Sequence, residues 1–126
     1  MHIARNQSVG TPSAQPTETF TGPVWLGPVL STPDGTTVNC VFFAPSARTY
    51  WHHHERGQLI QVVSGRGLIC SDGGPVEQMR AGDVIWVPAG ERHWHGSEPD
   101  NFVVHVAASF GTTVWHELVS DEQYRG

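Results

Sequence analysis

The chain reads as an all-β protein, a single antiparallel β-barrel or jelly roll. Short runs of β-branched and aromatic residues alternate with turn signals, and 14 Gly and 9 Pro punctuate them at close intervals. No window sustains the 3.6-residue apolar period of an amphipathic helix. The 126 residues, 38% hydrophobic and 15% charged, are enough for one compact core and leave little room for a second.

Each element follows from its local chemistry. Residues 1–20 are polar and rich in Thr, Ser and Pro. They are expected to form an N-terminal arm, or an extended strand that pairs only with another subunit, ahead of one domain over residues 21–126. Val24 to Leu26 and Val29 to Leu30 are apolar pieces broken by Gly27-Pro28. Pro33-Asp34-Gly35 is a turn signal before a strand over Val38 to Phe43, and Pro45 to Arg48 interrupts that run ahead of Thr49 to His54. Glu55-Arg56-Gly57 turns the chain into Gln58 to Ser64, which ends at Gly65. A further run, Gly67 to Ser71, leads to the Asp72-Gly73-Gly74-Pro75 turn. Val76 to Met79, Val84 to Val87, His93 to Gly96, Phe102 to Ala108 and Thr112 to Val119 complete the β material. One helical turn is expected near Ser120 to Tyr124, with Ser120 or Asp121 as its cap.

Composition excludes several classes. The net charge of −5, with no basic cluster, argues against nucleic acid or an anionic membrane as partner. There is no lysine, so no side-chain amine is available for Schiff-base chemistry. Cys40 and Cys70 stand apart, in no CxxC arrangement, and no apolar signal segment opens the chain. Two buried free thiols in a reduced cytoplasm are the expectation. No stretch is long and apolar enough for a membrane helix.

The candidate site comes from strand alternation. In an extended segment His52 and His54 point to one face and His53 to the other. Gln58 starts the partner strand after a short turn, and His93 follows the Pro88-Ala89-Gly90 turn. An isolated HxH is usually a pair of surface histidines. Three imidazoles and an amide oxygen aimed at one interior are the donor set of a metal ion, with positions left over for a small-molecule substrate. His95 shares the parity of His93, which gives it either a contact with substrate or ligands or a merely packed place. His105, among Val103, Val104 and Val106, is either an acid–base group or a hydrogen-bonded core histidine. Trp51, Trp86, Trp94 and Trp115 suit core or interface positions better than a substrate platform.

The spacing resembles that of the cupins. Their first motif, G(x)5HxH(x)3-4E(x)6G, is matched in register by Ser46, His52, His54, Gln58 and Gly65. Their second, G(x)5PxG(x)2H(x)3N, is matched by Gly82, Pro88, Gly90, His93 and Ser97. Ser46 and Ser97 replace a glycine and an asparagine that are not ligands. Gln58 replaces the ligand glutamate, leaving the charge of a bound cation uncompensated. The resemblance implies a conical cupin β-barrel, the double-stranded jelly roll, with His52, His54, Gln58 and His93 holding Mn²⁺ or Fe²⁺, and with Ni²⁺ or Zn²⁺ as competing occupants.

Within the cupins, the chain looks like the small manganese-dependent hydroxynitrile lyases. It does so at Ala47-Arg48-Thr49, at His93-Trp94-His95-Gly96 and at Asp121-Glu122-Gln123-Tyr124-Arg125. That likeness implies that His105 is the proton-transfer base, helped by His95, and that Asn39, Val41 and Phe43 line the substrate pocket. Two other functions fit a cupin site: a non-haem iron dioxygenase, and a non-catalytic sensor that binds metal or ligand. Self-association as a homodimer or homotetramer, through edge strands and the N-terminal arm, is also expected.

Overall fold

A computed structural model describes residues 1–5, 15 and 18–126. Its strands are β1 (Phe20–Thr21), β2 (Val24–Ser31), β3 (Thr36–Phe43), β4 (Arg48–Thr49), β5 (His52–His54), β6 (Gln58–Ser71), β7 (Val76–Arg80), β8 (Val84–Val87), β9 (His93–Ser97), β10 (Val103–Phe110) and β11 (Thr113–Trp115). One helix, α1 (Asp121–Arg125), closes the chain. The strands form a nearly closed antiparallel barrel, in agreement with the residue pattern. Most of the expected N-terminal arm, residues 6–14, 16 and 17, lies outside the described residues. Phe20, the last residue of that stretch, pairs with Thr49 and packs against Phe43.

The barrel has two walls. In one, β2, β3, β10, the first half of β6 and β8 lie side by side. The other contains β1, β4, β9, the second half of β6 and β7, with β5 against β9 and β11 against β5. Val41, Phe43, Ile60, Val62, Val103 and Ala107 fill the core.

β6 belongs to both walls. Gly65 was expected to separate two strands there; the structure has one strand of 14 residues that bends between the walls. Gly65 adopts φ +81°, and a Cβ at that position would stand 2.0 Å from the Phe102 carbonyl oxygen. Pairing with β10 shifts register there, between Val104 and His105, because β6 carries one extra residue, Val63, just before the bend.

Three other expectations are corrected. Gly27-Pro28 does not break the run from Val24 to Leu30: β2 is an edge strand, where a missing N–H is tolerated, and a register shift between Pro28 and Leu30 absorbs the proline. β11 stops at Trp115, well short of Val119, which leaves the sheet to pack with Trp51, Trp94 and Tyr124. Cys40 is exposed, because the alternation that turns Val41 and Phe43 into the barrel turns Cys40 out; only Cys70 is buried, and both thiols are free.

The chain end is clasped to the barrel. Ser120 caps α1 in a capping box with Gln123. The Arg48 guanidinium donates to the Val119 carbonyl at 2.9 Å and to Asp121 at 2.8 Å, and lies over the Tyr124 ring at 4.5 Å. Among the described residues no helix is long and apolar enough to cross a membrane.

Gly65→Ala should lower stability to urea by about 3 kcal/mol or more, since it combines left-handed strain with a backbone clash. Gly73→Ala shares the left-handed backbone, at φ +83°, but meets nothing within 4 Å. It should cost only about 1 kcal/mol. Equal losses would mean that the β6 corner is not close-packed.

Candidate metal centre

Strand parity and pairing assemble the site. β5 turns His52 and His54 inward and His53 outward, where its Nδ1 lies 2.9 Å from Nε2 of His116. β9 runs antiparallel to β5 with His93 opposite His52, and its alternation also carries His95 inward. Gln58 opens β6, and His105 sits mid-way along β10. These six side chains are at most 4% exposed.

Ring centroids are 4.3 Å apart for His52 and His93, 5.0 Å for His52 and His54, and 5.3 Å for His52 and His95. One ring nitrogen from each of His52, His93 and His95 lies within 4.8 Å of the others. His54, with its ring 5.6 Å from that of His93, stands just outside this trio. Gln58 Oε1 is 3.0 Å from His93 Nε2. The tightest cluster therefore includes His95, and Gln58 reaches it through His93.

A cavity of about 100 Å³ adjoins the cluster. His52, His54, Gln58, His95 and His105 line it, as do Asn39, Val41 and Phe43 from β3; His93 is packed behind His52. Ser109 and Thr113 also line it and were not singled out from the residues; Trp115, expected at a core or interface position, lines it too. Ser109 shares the β10 parity of His105 and was within reach of that rule. Thr113 and Trp115 reach the cavity only because β11 pairs with β5, a contact between distant segments that no local pattern announces.

Residues 40–110 match the cupin domain. The chain belongs to the cupins. It is 43% identical over 116 residues to an (R)-mandelonitrile lyase of Granulicella tundricola, covering 87% of this chain and 88% of that protein. A cupin-like protein from Thermotoga maritima superposes with a TM-score of 0.85 at 35% identity, over 94% of this chain and 95% of that one. A predicted oxalate decarboxylase from the same species shares the fold, with a TM-score of 0.74 at 18% identity over 88% and 100% of the two chains. At the first cupin motif, Ser46 occupies the glycine position with the left-handed φ of +68° that a glycine there would adopt freely.

The donor chemistry of this cupin fits a divalent cation. His52 Nδ1 lies 2.9 Å from the Tyr50 carbonyl, and His93 Nδ1 lies 2.9 Å from the Glu91 carbonyl. A carbonyl only accepts, so each Nδ1 carries the proton and each Nε2 keeps its lone pair. Gln58 donates its amide to Ser109 Oγ at 3.1 Å, which directs Oε1 at the bare His93 Nε2. Two acceptors face each other there, a repulsion that a cation held by both residues would relieve. In the opposite amide orientation Gln58 donates to His93 and accepts from Ser109, so the same pair also serves the metal-free cluster. His95 Nδ1 meets His105 Nε2 at 3.1 Å, while His54 Nε2 and His95 Nε2 are buried with no hydrogen-bond partner. Buried, bare imidazole nitrogens beside an amide oxygen are what a borderline divalent metal requires.

Burial also keeps these rings neutral. It pushes His52 and His95 well below the usual histidine value, with neighbouring imidazoles acting in the same direction. His93 is lowered as well, chiefly by burial. His54, through burial and then His93, and His105, through burial, are both brought down to about 4. Between the ordinary value of 6.5 and about 4, the unfolded chain binds protons that the native chain refuses. The metal-free protein should therefore keep this contribution to stability above pH 6.5 and lose it progressively as pH falls toward 4. Thermal melts across that range test this, and a melting temperature that rises on acidification would show the rings to be charged in the native state.

Proposed function

We propose that this cupin is a metal-dependent lyase that splits small α-hydroxynitriles into a carbonyl compound and hydrogen cyanide. The observation that carries the reading is the cluster of neutral, buried imidazoles beside a cavity of about 100 Å³ that His105 lines, in a chain 43% identical to a mandelonitrile lyase. His52, His54, Gln58 and His93 would hold Mn²⁺ or Fe²⁺, with the bare Nε2 of His95 directed at the same cluster. When bound, the metal supplies Lewis-acid stabilisation of negative charge developing during the reaction.

The protein's own residues supply the rest. His105 is neutral at pH 7 and so can accept the substrate hydroxyl proton, while its contact with His95 gives that proton a second imidazole to share. As the O–H bond breaks, the oxygen electrons form the carbonyl. The C–CN pair then leaves with cyanide, which takes up a proton. Val41, Phe43 and Ala107 give the cavity apolar walls that exclude water from the substrate body, and Asn39 adds a polar group on the β3 side. The small volume favours compact substrates. Two free thiols suit work in the cytoplasm.

The test begins with metal analysis of protein purified without added metal, followed by assay of Mn- and Fe-reconstituted forms for aldehyde release from mandelonitrile. Oxygen consumption by the ferrous form, without cyanohydrin cleavage, would replace the lyase with a dioxygenase. His105→Ala should retain its metal and lose turnover by roughly 10²-fold or more, the scale of a general base. A metallated, fully active variant would remove His105 from the mechanism.

Gln58→Glu should tighten metal binding, because a negative ligand offsets the cation's charge, and should make bound water less acidic. Competitive chelation across a pH series measures both effects. Unchanged affinity would place Gln58 outside the ligand set.

A further inference from the structure

A second cleft lies on the far side of β9 from the imidazoles. Strand alternation turns His93 and His95 into the barrel and Trp94 out of it, and Trp51, next to His52, reaches the same outer side. Between the β6–β7 turn and α1 these two indoles floor a cleft of about 570 Å³, which shares no lining residue with the cavity beside the imidazoles. That volume falls within the ~300–1,000 Å³ of small-molecule sites. Trp51 and Trp94 are 4% and 0% exposed, as core residues should be, and Cys70 is buried in the same cluster.

The polar groups of this cleft are unevenly satisfied. Trp51 Nε1 donates to Gln123 Oε1 at 3.3 Å, and Cys70 Sγ donates to the Gly74 carbonyl at 3.4 Å. Asp72, the acidic side chain of the cleft, is answered by Arg92 at 3.5 Å. Trp94 differs from all of these, because its Nε1 is buried with no hydrogen-bond partner. An indole N–H can only donate, so what it lacks is an acceptor. Arg125, exposed at the rim, enters no ion pair among the described residues.

We propose that this cleft is a binding site for a small aromatic carboxylate. Both unpartnered groups are donors and one of them is a cation, so the complementary ligand brings acceptor oxygens and a negative charge. The indole floor calls for a flat apolar body behind that charge. Other occupants fit less well. A metal ion finds no free donor set, since Asp72 is paired and Cys70 is held as a neutral thiol by burial and then by Asp72. A nucleotide would bring several phosphate charges to a cleft with one unpaired guanidinium.

Titration of the zinc-loaded full chain with benzoate tests the assignment, with the indole N–H resonances of Trp94 and Trp115 as reporters. Benzoate should move the Trp94 signal downfield as that N–H gains an acceptor. Trp115 lines the other cavity and reports binding there instead. Benzamide, the same ring without the charge, should bind roughly tenfold more weakly, and Arg125→Gln should weaken benzoate by a similar factor. Gly74→Leu should fill the cleft and abolish the Trp94 response while leaving any Trp115 response intact. A Cβ at Gly74 comes no nearer than 3.4 Å to its surroundings, so the fold should tolerate it. A Trp94 signal that stays put up to ~10 mM benzoate, well past a Kd of ~1 mM, would overturn the inference. So would a response confined to Trp115, or benzamide binding as tightly as benzoate. Should Gly74→Leu fail to fold, the comparison of benzoate with benzamide on the wild-type chain still decides the matter.

Discussion

Burying several imidazoles in one small barrel is the constraint around which the rest of the molecule is arranged. Each ring has two nitrogens, and each nitrogen taken from water needs a partner or costs a few kcal/mol. The protein satisfies the far side of each ring locally. The Tyr50 and Glu91 carbonyls serve His52 and His93, the Thr113 hydroxyl serves His54 at 2.9 Å, and His105 serves His95. What stays unsatisfied in the cluster is the near side, where His54 Nε2 and His95 Nε2 have no partner and His93 Nε2 faces an amide oxygen. A cation held there would answer these three at once; His105 Nδ1, on β10, is also buried without a partner. Metal affinity and native stability thus draw on the same set of atoms, and any loss of ring orientation weakens both.

Much of this was legible in the residues because it rests on short-range rules. Parity along extended segments separates His53 from His52 and His54 and pairs His95 with His93, while the likeness to the hydroxynitrile lyases is what put Asn39, Val41 and Phe43 at the pocket. Motif spacing joins β5 to β9 without any knowledge of the ladder between them. The β6 corner was not legible. Gly65 signals a break equally well whether the chain reverses or bends, and only the close approach of Phe102 selects the bend. Ser109 and Thr113, which orient Gln58 and His54, belong to no motif. They come to the cavity through pairings of β10 and β11 with strands far away in sequence. Cys40 was misplaced for a simpler reason: composition alone favours a buried thiol, and the parity of its own strand overrules composition.

Gln58 shows how one side chain beside the imidazoles changes the balance of the site. A glutamate there would bring a negative charge among neutral imidazoles and offset part of a cation's charge. The amide brings only a dipole, so a bound ion keeps more of its field for whatever occupies the cavity. The same neutrality would let the Gln58 and Ser109 pair exchange donor and acceptor roles if the cluster took up or released a cation, with no charge left stranded. A carboxylate has no such alternative without taking up a proton.

β3 and β10 serve two surfaces with alternate residues. Asn39, Val41 and Phe43 face the cavity, while Cys40 and Phe42 face outward; on β10, His105, Ala107 and Ser109 face in, and Val104, Val106 and Ala108 face out. The strand ladder that keeps the outer residues in register therefore also fixes His105 and Ser109 at the cavity. His105 is held against His95 from that wall, while the rings of His52 and His93 are pinned to carbonyls beside the opposite one, so the two halves of the imidazole cluster owe their orientation to different strands.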